Sequence, residues 1–373
     1  MMHVAPRRTL KSALLTCVIA LASCGPEAGQ AKGESGESGA PGAASAAPSV
    51  AMTSETRTFR DWFAVCDNGN DCMAFGPAAG EGATGWVRVH MPPGPDGRPD
   101  VMAGFWPSGG EFGQGAVTVS VDGRNLPVVP WQADDQDVVL AEPAAAVAAL
   151  VAGRSMTLGA GGETQAMNLN GATAALLWID ERQGRLNTVT ALVRKGDGPA
   201  SAVPQPPALP LVVAAPAVSQ ANLPTDPSVA AGLAGRSDVA GCKDAWNPVS
   251  FEEGLTRARL DDRTELWGVA CGAGAYNFMT RYFLTGPNGA DPRPLELRGG
   301  SGEAQEELVN SGYDPATRTL SQFAKARGIG DCGVAATWTW TGRAFVITEE
   351  SVMGECWGVG TDRWPMTWRS RAR

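Results

Sequence analysis

The sequence predicts a mainly β protein with two domains. Each domain is expected to be an antiparallel β-sandwich-like or curled sheet with a few short helices, held together by disulfide bonds. Short β-rich segments recur in both halves of the 373-residue chain, and Gly, Asn, Asp and Pro separate them. A proline-rich stretch at 196–227 lies between the halves and is typical of a stiff linker. The predicted domains are therefore residues 56–195 and 228–373.

The first 25 residues have the pattern of a bacterial export signal. Basic residues precede an apolar run at 13–22, which is shorter than the roughly 20 residues of a membrane-spanning helix. The Leu-Ala-Ser-Cys that follows resembles a lipobox, which implies cleavage after residue 23 and a diacylglyceryl group on Cys24. We therefore predict a signal peptide at 1–23 and a lipid anchor in the periplasm, with Gly25 favouring the outer membrane. Ordinary signal cleavage followed by secretion is the alternative.

Residues 24–55 are rich in Gly, Ala, Ser and Pro, which predicts a flexible tether between the anchor and the first domain. The chain carries a formal net charge of −9. An acidic surface repels nucleic acid and anionic lipid, so we expect no nucleic acid partner and a membrane contact through the lipid anchor. The Gly-rich segment at 272–274 lacks the Lys-Ser/Thr of a phosphate loop, and no cofactor is predicted.

Six cysteines remain once the leader's Cys17 and the anchor are set aside: Cys66, Cys72, Cys242, Cys271, Cys332 and Cys356. An even number in an exported chain predicts disulfide bonds, for which fifteen pairings exist. Proximity and the domain boundary favour Cys66 with Cys72, Cys242 with Cys271 and Cys332 with Cys356. No metal site is predicted, because zinc spacings are missing and His90 is the one histidine beyond the leader.

The first domain opens on a predicted hairpin, followed by further strands and one helix. Prolines and glycines bracket the helix, since Pro143 stands at its start and Gly153 past its end. The predicted strands are 60–66, 72–75, 86–90, 116–121 and 172–180, with a returning segment at 187–193 and the helix at 144–151.

The second domain opens on a predicted helix at 250–260, because Ser250 and Glu253 resemble a capping box. Alternating segments then predict strands at 265–271, 276–285, 307–313 and 319–324, and a hairpin at 337–341 and 344–348. Trp338 and Trp340 share one face of that hairpin. They are interpreted as core residues, with an exposed aromatic strip for glycan or peptide as the alternative.

Several of these motifs resemble known bacterial families. The Asp61-Trp62 pair with its following cysteines and the run at 176–185 resemble invasion-associated locus B proteins of Gram-negative bacteria. The segments 274–277 and 330–333 resemble the domain of unknown function 1176, an uncharacterised envelope family. The resemblance covers roughly residues 56–368 and implies an exported envelope protein with no assigned reaction.

No constellation of residues predicts a catalytic site. His90 ends a strand at an expected exposed position, the acidic clusters at 134–137 and 261–262 fall in expected solvated turns, and the turn at 67–71 is too short for a calcium loop. The candidate ligand-binding residues are Arg182, Gln183 and Arg185, which could hold a carboxylate or phosphate, and Tyr276 and Asn277, which could line a groove.

Three functional hypotheses follow. The favoured hypothesis is a lipid-anchored, non-catalytic binding or structural module facing the periplasm, with an envelope protein or glycan as its ligand. The second is a carboxylate-based hydrolase of envelope polymers, which requires a cleft holding two acids in contrasting environments. The third is an inhibitor or host-interaction protein.

Overall fold

The computed structural model divides the chain into two units, Met1–Ala47 and Pro48–Arg373. It describes residues 53–80, 82–107, 116–130, 137–223, 233, 236–237 and 255–372, all in the second unit. The predicted signal peptide, the lipidation site at Cys24 and nearly all of the tether lie outside these ranges. The described chain is mainly β with two α-helices, which confirms the predicted fold class. No helix within it is long and apolar enough to cross a membrane.

The first sheet has six antiparallel strands. In spatial order they are β1 (Glu55–Phe59), β2 (Trp62–Cys66), β3 (Cys72–Pro77), β4 (Gly85–Met91), β5 (Asp100–Phe105) and β8 (Val138–Val139). Every residue of β2 is buried. A continuous apolar strand of this kind is typical of a sheet covered on both faces.

A second, four-stranded sheet and both helices complete the first half of the chain. The strands are β6 (Thr118–Val121), β7 (Arg124–Leu126), β9 (Ser155–Ala160) and β10 (Glu163–Asn168), in the spatial order β10-β9-β6-β7. The helices are α1 (Pro143–Ala152) and α2 (Ala172–Arg182). The predicted helix at 144–151 is confirmed as α1, with proline in its first turn and Gly153 after its end.

Two five-stranded antiparallel sheets dominate the second half. The first contains β12 (Leu255–Arg259), β13 (Glu265–Ala273), β14 (Phe278–Thr285) and β15 (Arg293–Pro294), with β18 (Leu308–Val309) also paired to β14. The second contains β19 (Gly312–Asp314), β20 (Thr319–Lys325), β21 (Gly333–Trp340), β22 (Phe345–Met353) and β23 (Met366–Arg369). Short pairs are formed by β16 (Leu297–Arg298) with β17 (Ala304–Gln305), and by β11 (Leu211–Val212) with β24 (Arg371–Ala372).

The two faces of β2 contact different cores. Trp62 and Ala64 belong to the core that holds α2 and the four-stranded sheet. Phe63 and Val65 belong to a core that also contains Trp364 and other residues from the second half of the chain. Because strand side chains alternate, one buried strand joins the two halves.

The proline-rich stretch is packed along much of its described length. Val203 and Val212 are buried, and β11 pairs in parallel with β24 at the end of the chain. The backbone N–H of Ala215 donates to the carbonyl of Trp340 at 2.9 Å. Contacts on both sides therefore hold this stretch in place, and the predicted division into two domains stays a prediction.

Besides the returning segment at 187–193, which is a series of turns, two predicted elements are wrong. The predicted strand at 172–180 is the helix α2, whose buried residues include Ala172, Ala175, Leu176 and Ile179. This spacing lays one helix face on the core, and a nearly continuous apolar run conceals it. The predicted helix at 250–260 is occupied in its second half by β12, which pairs along its length with β13. Residues 250–254 lie outside the described ranges.

Candidate functional site

The turn at 67–71 uses its polar side chains to hold the protein together. Asp67 Oδ1 accepts hydrogen bonds from the backbone N–H groups of Gly69 and Asp71, both at 2.8 Å. Its other oxygen pairs with Arg369 on β23. The oxygens of Asp67 are thus engaged by protein donors, which agrees with the interpretation as a turn rather than a calcium loop.

The same turn binds the backbone of β23. Asn68 Nδ2 donates to the carbonyl of Arg369, and the Arg369 N–H donates to Asn68 Oδ1, both at 2.8 Å. The Arg369 guanidinium also lies 3.3 Å from an oxygen of Asp71. These contacts join positions about 300 residues apart in sequence, so this turn is a tertiary docking point.

His90 is not at an exposed position, contrary to the prediction. Its Nε2 lies 2.6 Å from Asp71 Oδ1 and its Nδ1 lies 2.6 Å from Asp100 Oδ2. Burial alone lowers the pKa of His90, but the hydrogen bonds and charges of Asp100 and Asp71 outweigh it and raise the pKa to about 9. The imidazolium donates both N–H groups to carboxylates, so it acts as an ion-pair partner at neutral pH rather than as a base.

The predicted ligand-binding residues at the end of α2 make structural contacts. Arg182 donates to the carbonyl of Thr53 at 2.7 Å and pairs with Glu55 at 3.2 Å. The amide of Gln183 donates to the carbonyls of Asn70 and Met91, both at 2.8 Å. These bonds connect α2 to β1 and to the first hairpin.

Arg185 is fully buried, and its guanidinium donates to four protein oxygens. The acceptors are Gln183 Oε1 at 2.6 Å, Gly94 O at 2.7 Å, Pro92 O at 2.8 Å and Thr190 Oγ1 at 3.1 Å. Burial lowers the pKa of Arg185, while the nearby charge of Asp180 opposes that effect. A guanidinium with this environment organises the loop around it.

Asp180 holds the segment that follows α2. Its carboxylate is fully buried and accepts the backbone N–H groups of Leu192, Val193 and Arg194 at 2.7, 2.8 and 3.2 Å. Successive N–H groups aimed at one anion form a nest. This explains why the predicted strand at 187–193 is a series of turns.

Tyr276 and Asn277 lie in the turn between β13 and β14. Asn277 Nδ2 donates to the carbonyl of Lys325 at 2.8 Å, and its Oδ1 accepts from Asn310 Nδ2 at 2.9 Å. Tyr276 is half-exposed, and its hydroxyl lies 3.4 Å from the carbonyl of Ala326. The pair attaches this turn to the last residue of β20 and to the residue that follows it.

The cysteines support the predicted pairing wherever both partners are described. Disulfide bonds join Cys66 to Cys72 and Cys332 to Cys356. Cys271 is also disulfide-bonded, but Cys242 lies outside the described ranges, so that pairing stays a prediction. Asp331 approaches the second pair, yet sulfurs joined to each other are not thiolate ligands for a metal.

Trp338 and Trp340 are buried in the core between the two five-stranded sheets, at 0% and 2% exposure. The interpretation of these residues as core is therefore confirmed, and they form no exposed strip.

A cleft of about 420 Å³ lies beside that core. Its floor is one face of the second five-stranded sheet, where the register aligns Ala324 with Val334 and Val334 with Val352. Gln322 and Glu350 stand on the same face, since both align with Ala336. The remaining lining residues are Ser54, Thr56, Ser301, Glu303, Gln305, Glu307, Val309 and Thr367.

Three glutamates make this cleft acidic. Glu350 is buried, and its carboxylate accepts from Thr367 Oγ1 at 2.6 Å and from the Gly300 N–H at 3.0 Å. Glu303 bonds to the hydroxyl of Ser301, and Glu307 pairs with Arg281 at 2.8 Å. The lining residues that the structure describes include no Lys, Arg or His.

Glu303 and Glu350 face the same small space above Gly299. A Cβ atom at Gly299 would lie 1.7 Å from Glu303 Oε1 and 2.9 Å from Glu350 Oε2. Two carboxylates brought this close repel each other unless a proton or a cation lies between them. We refer to this cleft, with Glu303, Glu350 and Gln322 as its central polar residues, as the acidic cleft.

Gln322 contributes a buried amide to the acidic cleft. It is only 7% exposed, and its Oε1 accepts the backbone N–H of Val309 at 3.3 Å. Its Nε2 donates to no residue in the described ranges although Gln322 lines the cleft. An amide nitrogen that lines a cleft and has no protein acceptor is available to a ligand.

Sequence reasoning missed the acidic cleft because its residues are spread over seven separate elements. One local signal exists: Glu349 and Glu350 are adjacent in a strand, so one of the two must point inward. An inward acid in a mainly apolar strand indicates a functional or paired site.

The comparisons with known proteins agree with the resemblance to the domain of unknown function 1176. No solved structure matches the chain. An uncharacterised protein of Escherichia coli strain K12, YpfG, is 30% identical over 333 residues, which cover 84% of this chain and 93% of that protein. The resemblance of the first half to invasion-associated locus B proteins is not shown by these comparisons. The model of the family described as "Protein of unknown function (DUF1176)" matches residues 56–371, and the chain belongs to that family.

Proposed function

We propose that this protein is an exported, lipid-anchored envelope protein that works as a non-catalytic binding module in the periplasm. The observation that carries the binding function is the acidic cleft, which presents Glu350 and Gln322 on one face of a sheet and Glu303 from the turn between β16 and β17. Rigid strands hold polar groups at fixed positions, which favours recognition of a small ligand or a short segment of a larger one. An envelope glycan or protein segment is the proposed ligand source.

Export is supported by the cysteines. Bonds within two pairs, and the oxidised state of Cys271, require an oxidising compartment in most bacteria. The test is to express the full chain with its own leader in a Gram-negative host and to compare it with Cys24→Ala. We expect the wild-type protein in the membrane fraction with a diacylglyceryl-modified Cys24, and the variant released into the soluble periplasm. An unmodified N-terminal methionine with free thiols at the six positions would contradict export.

A second candidate, the carboxylate-based hydrolase, is favoured by the proximity of Glu303 and Glu350. One of these carboxyls is buried and the other exposed, so their environments contrast as acid–base chemistry requires. Against hydrolysis, both oxygens of Glu350 already accept hydrogen bonds from the protein itself.

The two candidates are separated by what happens to the ligand. Wild-type protein and Glu350→Gln are incubated with purified cell-wall glycan and peptide fragments, which are then analysed by mass spectrometry. A binding module returns every fragment unchanged. New reducing ends or new amino termini that form with the wild-type protein and not with the variant would establish the hydrolase instead.

A further inference from the structure

We propose that the acidic cleft selects a ligand that carries a primary ammonium group and, in addition, a hydroxyl or carbonyl oxygen. The inference rests on the proposed binding function and specifies the chemistry of its ligand. An amino sugar and a lysine-containing peptide both offer this pair of groups, and the experiment below separates them.

The ammonium preference follows from the charges. Glu303 and Glu350 converge above Gly299, and the cleft lining described here supplies no cationic side chain to balance them. An ammonium group has three N–H donors and can therefore bond to both carboxylates at once. Binding it removes the repulsion between the two glutamates, which a neutral ligand leaves in place.

The oxygen acceptor on the ligand is inferred from the orientation of the Gln322 amide. The amide orientation is set by the backbone N–H of Val309, which donates to Oε1 and leaves Nε2 as the group available in the cleft. Nε2 is a hydrogen-bond donor, so its partner on the ligand must be a hydrogen-bond acceptor. Glu303 and Glu350 are acceptors, and the cleft thus presents both polarities to one ligand.

A metal ion fits the same place less well. Calcium takes six to eight oxygen ligands, whereas the two carboxylates that converge above Gly299 supply at most four oxygens. Within the described ranges, the one cluster of three or more close metal-ligand atoms lies elsewhere, at Asp331 with a disulfide. The cleft volume of about 420 Å³ is in the range of small-molecule sites.

The test measures binding to the full-length protein by isothermal titration calorimetry with two matched pairs of probes. The first pair is the glucosamine disaccharide and its N-acetylated form. The second is a lysine-containing tripeptide and its Nζ-acetylated form. Acetylation removes the positive charge and puts a neutral amide in the place of the ammonium group, while the other oxygens of the probe stay the same. We expect at least one charged probe to bind about tenfold or more tightly than its acetylated partner, and the pair that responds identifies the source.

Variants locate the binding in the cleft. Glu303→Gln should weaken binding of the charged probe about tenfold and leave the affinity for the acetylated probe unchanged. Gln322→Met, which keeps the side-chain length, should weaken both members of the pair. Glu349→Gln is the matched control, because it removes the same charge from the exposed side of the same strand and should change neither affinity.

Equal affinity for charged and acetylated probes would overturn the ammonium preference, and so would the absence of binding by all four. Equal affinities that fall together in Gln322→Met would leave the binding function standing with a neutral ligand. Micromolar binding of calcium that is lost in Glu303→Gln would reassign the cleft to a metal ion and would also overturn the proposal.

Discussion

The clearest consequence of the structure is a pH-dependent contribution of His90 to stability. The change to test is His90→Gln, which keeps a hydrogen-bonding side chain of similar size and removes the imidazolium between Asp71 and Asp100. The pKa of His90 rises from 6.5 to about 9 on folding. Each pKa unit corresponds to about 1.4 kcal/mol, so protonated His90 stabilises the folded protein by about 3 kcal/mol.

The direction of the pH dependence of stability follows from the sign of the pKa shift of His90. Because the folded state holds the proton more tightly, the contribution is fully present below pH 6.5 and declines as the pH rises. It is lost once the pH passes about 9. The chain has two histidines, and the other is in the predicted leader. The decline in the free energy of unfolding between pH 6.5 and about 9 is therefore assigned to His90.

The assay is denaturant unfolding followed by tryptophan fluorescence at several pH values between 5.5 and 9.5. We expect His90→Gln to lower the free energy of unfolding by about 3 kcal/mol at pH 6 and by much less at pH 9.5. Asp100→Asn serves as a second variant, because it removes one carboxylate and should lower the pKa of His90. Parallel pH curves for the wild-type protein and His90→Gln would refute the reasoning, as would an imidazole that titrates near 6.5 by NMR.

Three further changes test the buried centres of the fold. Arg185→Met leaves several buried oxygens without a donor and should lower the free energy of unfolding by about 3–5 kcal/mol in a denaturant titration, whereas Arg124→Met on an exposed strand should have little effect. Asp180→Asn weakens three charge-assisted bonds and should cost about 2 kcal/mol, with faster amide exchange at 192–194. Replacing Cys332 and Cys356 together by serine opens a loop with a sequence separation of 24 and should lower the unfolding free energy by about 3–4 kcal/mol. An unchanged unfolding midpoint would contradict each of the three.

Local patterns predicted most strands because strand side chains alternate over a few residues. The hairpin of β2 and β3 and the hairpin of β21 and β22 both fall where their sequences indicate. The helix α2 was missed, although its buried positions follow a helical spacing, because the run contains too few polar residues to mark the exposed face. The helix predicted from Ser250 was wrong because pairing with β13 determines the conformation of β12.

For the candidate sites, too, the sequence predicted the side-chain chemistry but not the partners of each side chain. Arg182, Gln183 and Arg185 were selected for their side-chain chemistry, and that chemistry is directed at carbonyls of the protein itself. Glu303 and Glu350 were not selected, because they are far apart in sequence and meet only when two sheets pack. Burial and the direction of a side chain decide whether a polar residue serves the fold or a ligand.

The sequence by itself determined the fold class, the family resemblance, and two disulfide pairs through the proximity of their cysteines. These depend on short-range features, such as alternation, turn residues and small loops. Only the tertiary structure decided that His90 lies between two carboxylates, that the first hairpin binds the last strands, and that glutamates from separate elements share one cleft. Such contacts depend on which surfaces are buried against each other over hundreds of residues, and no local pattern carries that information.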